Sequence, residues 1–101
     1  MAAEERSEFS IDLDEAIALG VYSNLVVISH SSSEFVLDFA RVMPGHSGAK
    51  VVSRIVMTPD HVKRFLQALG ENVRRYEGNF GEIDLHEDDK PFISAISKCD
   101  A

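Results

Sequence analysis

Between Tyr22 and Phe80 three apolar, β-branched runs are followed at once by an amphipathic helix, and this order of elements constrains the fold more than anything else in the chain. Val21 to Ser29 reads Val-Tyr-Ser-Asn-Leu-Val-Val-Ile-Ser, with apolar residues on both sides of a pleat, as a well-covered strand requires. His30-Ser31-Ser32-Ser33 is a turn by its residue types. Glu34 to Met43 then alternates, with Phe35, Leu37, Phe39 and Met43 on one face and Val36, Asp38, Ala40 and Val42 on the other. Pro44-Gly45-His46-Ser47-Gly48 breaks the pattern. The third run, Lys50 to Met57, sets Val51, Ser53, Ile55 and Met57 against Val52, Arg54 and Val56. Three such runs joined by short turns predict an antiparallel meander.

Thr58-Pro59-Asp60 marks a helix start: a hydroxyl N-cap, proline at the first helical position, and a carboxylate near the positive end of the helix dipole. Val62, Leu66, Leu69, Val73 and Tyr76 recur at spacings of four and three, and Phe65 widens the stripe until Gly78 offers a left-handed C-cap. Arg74 and Arg75 sit near the negative end, and Glu71 is one turn from Arg75. Gly70 inside this helix costs about 1 kcal/mol relative to alanine, which is either a tolerated imperfection or the mark of close approach of a sheet or a second helix. The fold class expected is therefore α+β, a three- to four-stranded antiparallel meander packed on one long C-terminal amphipathic helix.

The shortest connection places the helix on the face bearing Phe35, Leu37, Phe39, Ile55 and Met57. The opposite face then presents Val36, Ala40, Val42, Val52 and Val56 around a cross-strand pair of Asp38 with Arg54, and one helix cannot cover both sides of a sheet. An exposed apolar face of that size marks an interface. The expectation is a homo-oligomer, a dimer, joined through Val36, Asp38, Ala40, Val42, Val52, Arg54 and Val56. The competing expectation folds Phe9 to Leu19, or the tail around Phe92, Ile93 and Ile96, over that face. Phe9-Ser10-Ile11-Asp12-Leu13 alternates like a short strand, and Asp14 to Gly20 reads as a single helical turn closed by glycine. The expected organisation is a flexible N-terminus over 1–8, one α+β domain over 9–83 and an acidic, flexible tail over 84–101.

The net charge of −7 is unevenly spread. Residues 1–40 hold one base and eight acids, residues 41–75 seven bases and two acids, and residues 76–101 two bases and seven acids. The basic centre makes Lys63, Arg64, Arg74 and Arg75 a candidate anion-facing surface, although charged residues most often simply solvate a fold. Cys99 is the lone cysteine, so neither an internal disulfide nor a multi-cysteine metal site is expected. The N-terminal residues are acidic, and no segment approaches the roughly 18 apolar residues of a membrane span. A soluble, cytoplasmic protein without membrane partners is expected.

Catalytic and ligand-binding patterns are weak. His30, His46, His61 and His86 show no metal-ligand spacing. Ser31, Ser32 and Ser33 beside His30 lack a glycine-framed elbow and fit turn chemistry better. The loop Gly45-His46-Ser47-Gly48 has no lysine and leads into a strand, unlike a phosphate-binding loop. Nothing beside Cys99 lowers its pKa. No catalytic residue, cofactor or metal is expected, and the protein is read as a non-enzyme.

A resemblance accompanies these patterns. Gly20 to Leu25, His30-Ser31 followed by Glu34-Phe35-Val36-Leu37-Asp38-Phe39, then Ser53 to Pro59, and Asn72 through Tyr76-Glu77 to Phe80-Gly81-Glu82-Ile83 are similar, in order and spacing, to a bacterial family catalogued as a domain of unknown function, number 3467. The resemblance covers roughly residues 9 to 83. It implies one small cytoplasmic unit and carries no activity, substrate or catalytic residue. Function is then expected to be that of a small oligomeric protein-interaction module. The alternatives are a nucleic-acid-binding regulator using the basic segment 41–75, and a holdase-like binder of unfolded chains. An acidic chain whose phenylalanines are committed to the core argues against nucleic acid.

Overall fold

In the computed structural model, which describes residues 9–86 and 95–99, the elements in chain order are α1 (Glu15–Ala18), β1 (Leu25–His30), β2 (Phe35–Val42), β3 (Ala49–Met57), α2 (Pro59–Phe80) and β4 (Ala95–Cys99). β1, β2 and β3 pair antiparallel through consecutive turns, so the α+β class, the meander and the long C-terminal helix are as the periodicity predicts. The sheet order is β3-β2-β1-β4, with β4 parallel to β1. β4 comes from the stretch expected as an acidic tail. Its five residues carry too short a pattern to announce a strand, and they occupy a sheet edge that β1 would otherwise leave open. The 1–8 segment, Glu87-Asp88-Asp89, Phe92 and Ile93 lie outside the described residues.

Turn chemistry explains the hairpins. Between β2 and β3, Pro44 sets φ at the second position of a turn and Gly45 takes φ 83° at the third, while the His46 N–H donates to the Met43 carbonyl at 3.2 Å. This is the arrangement of a type II turn. Between β1 and β2 the Ser31 N–H donates to the Glu34 carbonyl at 3.0 Å and the Ser33 N–H to Ser31 Oγ at 3.3 Å, which accounts for the serine run. Before β1, Asn24 imitates a strand residue with its side chain. Its Oδ1 accepts the Val42 N–H at 2.8 Å and its Nδ2 donates to the Val42 carbonyl at 3.0 Å. Ser23 Oγ donates to the Ala40 carbonyl at 2.9 Å, and Arg41 donates through Nε and Nη2 to the Tyr22 carbonyl at 3.3 Å. The chain is thereby pinned to the end of β2 just where it enters the sheet.

Upstream of that anchor, residues 9–21 are all exposed. Asp14 to Gly20 forms the single helical turn expected, with Gly20 at φ 79°. Phe9 to Leu13, expected as a short strand, is extended but unpaired, because alternation makes a strand only beside a sheet edge. Phe9 to Leu19 does not cover the valine face: Phe9 is 74% and Ile11 84% exposed.

The helix differs from expectation in three respects. First, it does not lie on the Phe35, Leu37, Phe39, Ile55 and Met57 face: α2 contains no buried residue. The reason is the connection. β3 ends at Met57 and α2 begins at Pro59, so Thr58 alone joins them, extended at φ −74° and ψ 159°. One extended residue followed by a proline of fixed φ has no room to reverse the chain over the sheet. The radius of gyration is accordingly 17.0 Å, against about 13 Å for a compact domain of this length. Second, the helix runs past Gly78 to Phe80, and Gly81, at φ 98°, closes it by donating its N–H to the Glu77 carbonyl at 2.9 Å. Phe80 prolongs the apolar stripe, its ring tilted against that of Tyr76 one turn earlier with centroids 5.0 Å apart, and the following Gly81 takes a positive φ. Third, Thr58 is the N-cap residue, yet its hydroxyl donates to Asp60 Oδ1 at 2.7 Å rather than accepting a backbone N–H.

Very little is enclosed. Among the described residues only Leu25, at the start of β1, and Leu37 and Ala40, within β2, are buried.

Candidate protein-interaction surface

The cross-strand register assembles the valine face. Val36 opposes Val56 and Asp38 opposes Arg54, while Val27 and Leu25 of β1 sit opposite Asp38 and Ala40 and so join the same face. A β-bulge between Phe39 and Ala40 changes the third strand. Phe39 pairs with Ser53 but Ala40 pairs with Val51, so Val52 is the extra residue. Sequence alternation placed Val51 with Ser53, Ile55 and Met57; the bulge instead sets it across from Ala40. The signal that was missed was the mismatch of one residue between the two apolar runs, which alternation alone does not reveal.

At the centre of this face is a charge pair. Arg54 donates from Nε to Asp38 Oδ1 at 2.6 Å and from Nη2 to Oδ2 at 2.9 Å, a two-pronged contact between directly opposed residues. The hydrogen bond from Arg54, with its positive charge, holds the Asp38 carboxyl below the usual carboxylate range. Around it Ala40 is buried, Val36, Val42 and Val52 are half-buried, and Val56 is 55% exposed. Val36, Asp38, Ala40 and Val42 thus alternate onto one face of β2 with Arg54 and Val56 opposite two of them, Val52 stands in the bulge without a register partner, and β3 is the most open part.

The basic candidates form no single cluster. Lys63 and Arg74 flank the apolar stripe of α2, whereas Arg64 and Arg75 point away from it by the 3.6-residue repeat. Arg75 Nη2 lies 3.8 Å from Glu71 Oε1. Lys63 and Arg64 share a shallow depression with Asp60, whose carboxyl is held below its ordinary range chiefly by the Thr58 hydroxyl. His61 stands 3.8 Å from Asp60 and His86 3.4 Å from Asp84. The other histidines sit on β1 and in the β2–β3 hairpin. Among the described residues no three His, Cys, Asp or Glu side chains converge on a common point. The hairpin end carries a half-open depression of about 290 Å³ lined by Arg41, His46 and Lys50 together with Met43 and small residues. No helix of the described residues is long and apolar enough to cross a membrane.

One apolar surface was absent from the sequence expectation as a site: the stripe of α2 itself. Phe65, Leu66, Leu69, Val73, Tyr76 and Phe80 lie along it with exposures from 36% to 73%. Their periodicity was visible, but periodicity says only that a stripe exists and not what meets it.

The model of a family described as "Protein of unknown function (DUF3467)" matches residues 1–85. No curated protein and no solved structure matches the chain.

Proposed function

The chain belongs to this family of unknown function, and from that premise, with no activity to inherit, we propose that it is a non-enzymatic, self-associating module that acts by protein contact. The observation that supports this is the ratio of apolar to enclosed surface. The chain is 45% hydrophobic, yet among the described residues three side chains are buried, while much of the valine face on β3, the α2 stripe and Phe9 to Tyr22 are exposed. Exposed apolar surface on this scale is removed from water by association. The occupant that fits first is a second copy. An isologous contact needs a self-complementary patch, and a ring of valines around the Asp38–Arg54 pair supplies apolar area with a polar centre that sets register.

Light scattering on a sizing column, at low and high salt and with single- and double-stranded nucleic acid added, tests this. The expected result is a salt-resistant oligomer that ignores nucleic acid and whose mass falls in Val56→Asp. A monomer at all concentrations would overturn the reading, and a salt-sensitive complex with nucleic acid would transfer the function to the basic segment. An unchanged mass in Val56→Asp would remove the valine face from the assembly.

A further inference from the structure

We infer that α2 is a dimerisation seam, pairing antiparallel with α2 of a second copy about a two-fold axis beside Glu71. The inference rests on the proposal that the chain self-associates and assigns it a contacting surface separate from the valine face.

Val62, Leu66, Leu69, Val73, Tyr76 and Phe80 follow one another at spacings of 4, 3, 4, 3 and 4, the a/d pattern of a coiled-coil seam. Their numbers are also symmetric. Reversing one helix against another brings Val62 opposite Phe80, Leu66 opposite Tyr76 and Leu69 opposite Val73, each layer occurring twice. Every layer then joins a larger side chain to a smaller one, which keeps the interhelical distance even. A parallel pairing would stack Tyr76 on Tyr76 and Phe80 on Phe80 at one end, with Val62 on Val62 at the other.

The residues flanking the seam fit the same register. Lys63, Gly70 and Glu77 form one flanking row, at intervals of seven. In the antiparallel pair Lys63 meets Glu77 of the second copy, twice, and Gly70 meets its counterpart at the crossing. Within one chain Lys63 and Glu77 are 14 residues apart, about 21 Å along the helix, and cannot touch. The Ile83 N–H donates to Glu77 Oε2 at 3.0 Å, which orients the carboxylate and leaves Oε1 to accept from lysine. On the other flank Asn72 faces Asn72.

Gly70 is the independent observation. Among the described residues of its own chain nothing requires glycine there: φ is not positive, and a Cβ would meet only Arg74 Nη1, at 3.6 Å. A residue that weakens a helix without an intrachain reason is accounted for by a backbone approaching from outside. Area supports this as well. The exposed parts of Leu66, Leu69, Val73, Tyr76 and Phe80 amount to roughly 500 Å² per chain, against about 800 Å² per partner in a standard interface. The antiparallel arrangement also carries Phe80 and Ile83 of one chain toward the Met57-Thr58 junction of the other, where the rest of that area lies. At under three heptads the seam is short, so the association is expected to depend on protein concentration. Should the valine face also join copies, two isologous surfaces on one chain close as a tetramer of D2 symmetry.

The test is sedimentation equilibrium on the full chain and four variants: Gly70→Leu, Lys63→Glu, Glu77→Lys, and Lys63→Glu with Glu77→Lys together. Gly70→Leu is expected to raise the dissociation constant roughly tenfold or more while helix content by circular dichroism stays the same or rises. Each charge reversal weakens association about fivefold, and the double variant restores it. Restoration can arise only between copies and only antiparallel. Wild-type association in Gly70→Leu, or failure of the double variant to recover, would overturn the seam. If either occurs while the wild-type protein is an oligomer, self-association stands and only the seam is lost; a monomeric wild-type protein would overturn both.

Discussion

Leu37 and Ile55 are cross-strand neighbours on one face of the sheet, and truncating each to alanine separates what one chain encloses from what it leaves open. Leu37 is 5% exposed and Ile55 44%. Leu37→Ala removes three carbons' worth of nearly complete burial, about 2.4 kcal/mol at about 0.8 kcal/mol per methylene. A cavity between β1 and β3 adds to this, so a loss of about 3 kcal/mol is expected. Ile55→Ala in a single chain forfeits only about half of the transfer term and opens no closed cavity, about 1 kcal/mol. Urea unfolding followed by circular dichroism, at protein concentrations well above and well below the dissociation constant, measures both. Leu37→Ala is expected to cost its full amount at either concentration. Ile55→Ala is expected to cost about 1 kcal/mol when dilute, and to approach the Leu37 value at high concentration only if a second copy covers this face. A Leu37→Ala loss below about 1 kcal/mol would refute the placement of the core at the centre of β2.

Two further outcomes follow from the same geometry. Because Arg54 depresses the Asp38 carboxyl in the folded chain, the pair stabilises above the ordinary aspartate value of 3.8 and that contribution is lost as pH falls through the lower folded value. Acid titration of stability should therefore show the difference between wild type and Asp38→Asn shrinking below about pH 4, and parallel curves would contradict the pairing. Asn24→Ala removes two hydrogen bonds, of 2.8 and 3.0 Å, that extend the β1–β2 ladder, and is expected to cost about 1–2 kcal/mol and to speed amide exchange at Val42. Unchanged exchange there would mean the anchor is not formed in solution.

Local chemistry determined most of the elements. Alternation in Phe35 to Val42 and in Val52 to Met57 is a property of the pleat, so β2, β3 and the opposition of Asp38 to Arg54 could be read directly from the residues. Pro59 and the four-and-three spacing likewise determined where α2 starts and that it has an apolar stripe. The end of α2 was read too early, at Gly78: Phe80 continues the apolar stripe against Tyr76, and Gly81 takes the positive φ. The β-bulge at Val52, the parallel pairing of β4 with β1 and the departure of α2 from its own sheet were decided only by tertiary structure. These three depend on which backbone lies beside which, and on whether one extended residue, Thr58, leaves the chain room to turn. Periodicity records which face of an element avoids water; the spatial path of the chain settles whether that face is covered by its own fold or left for another molecule.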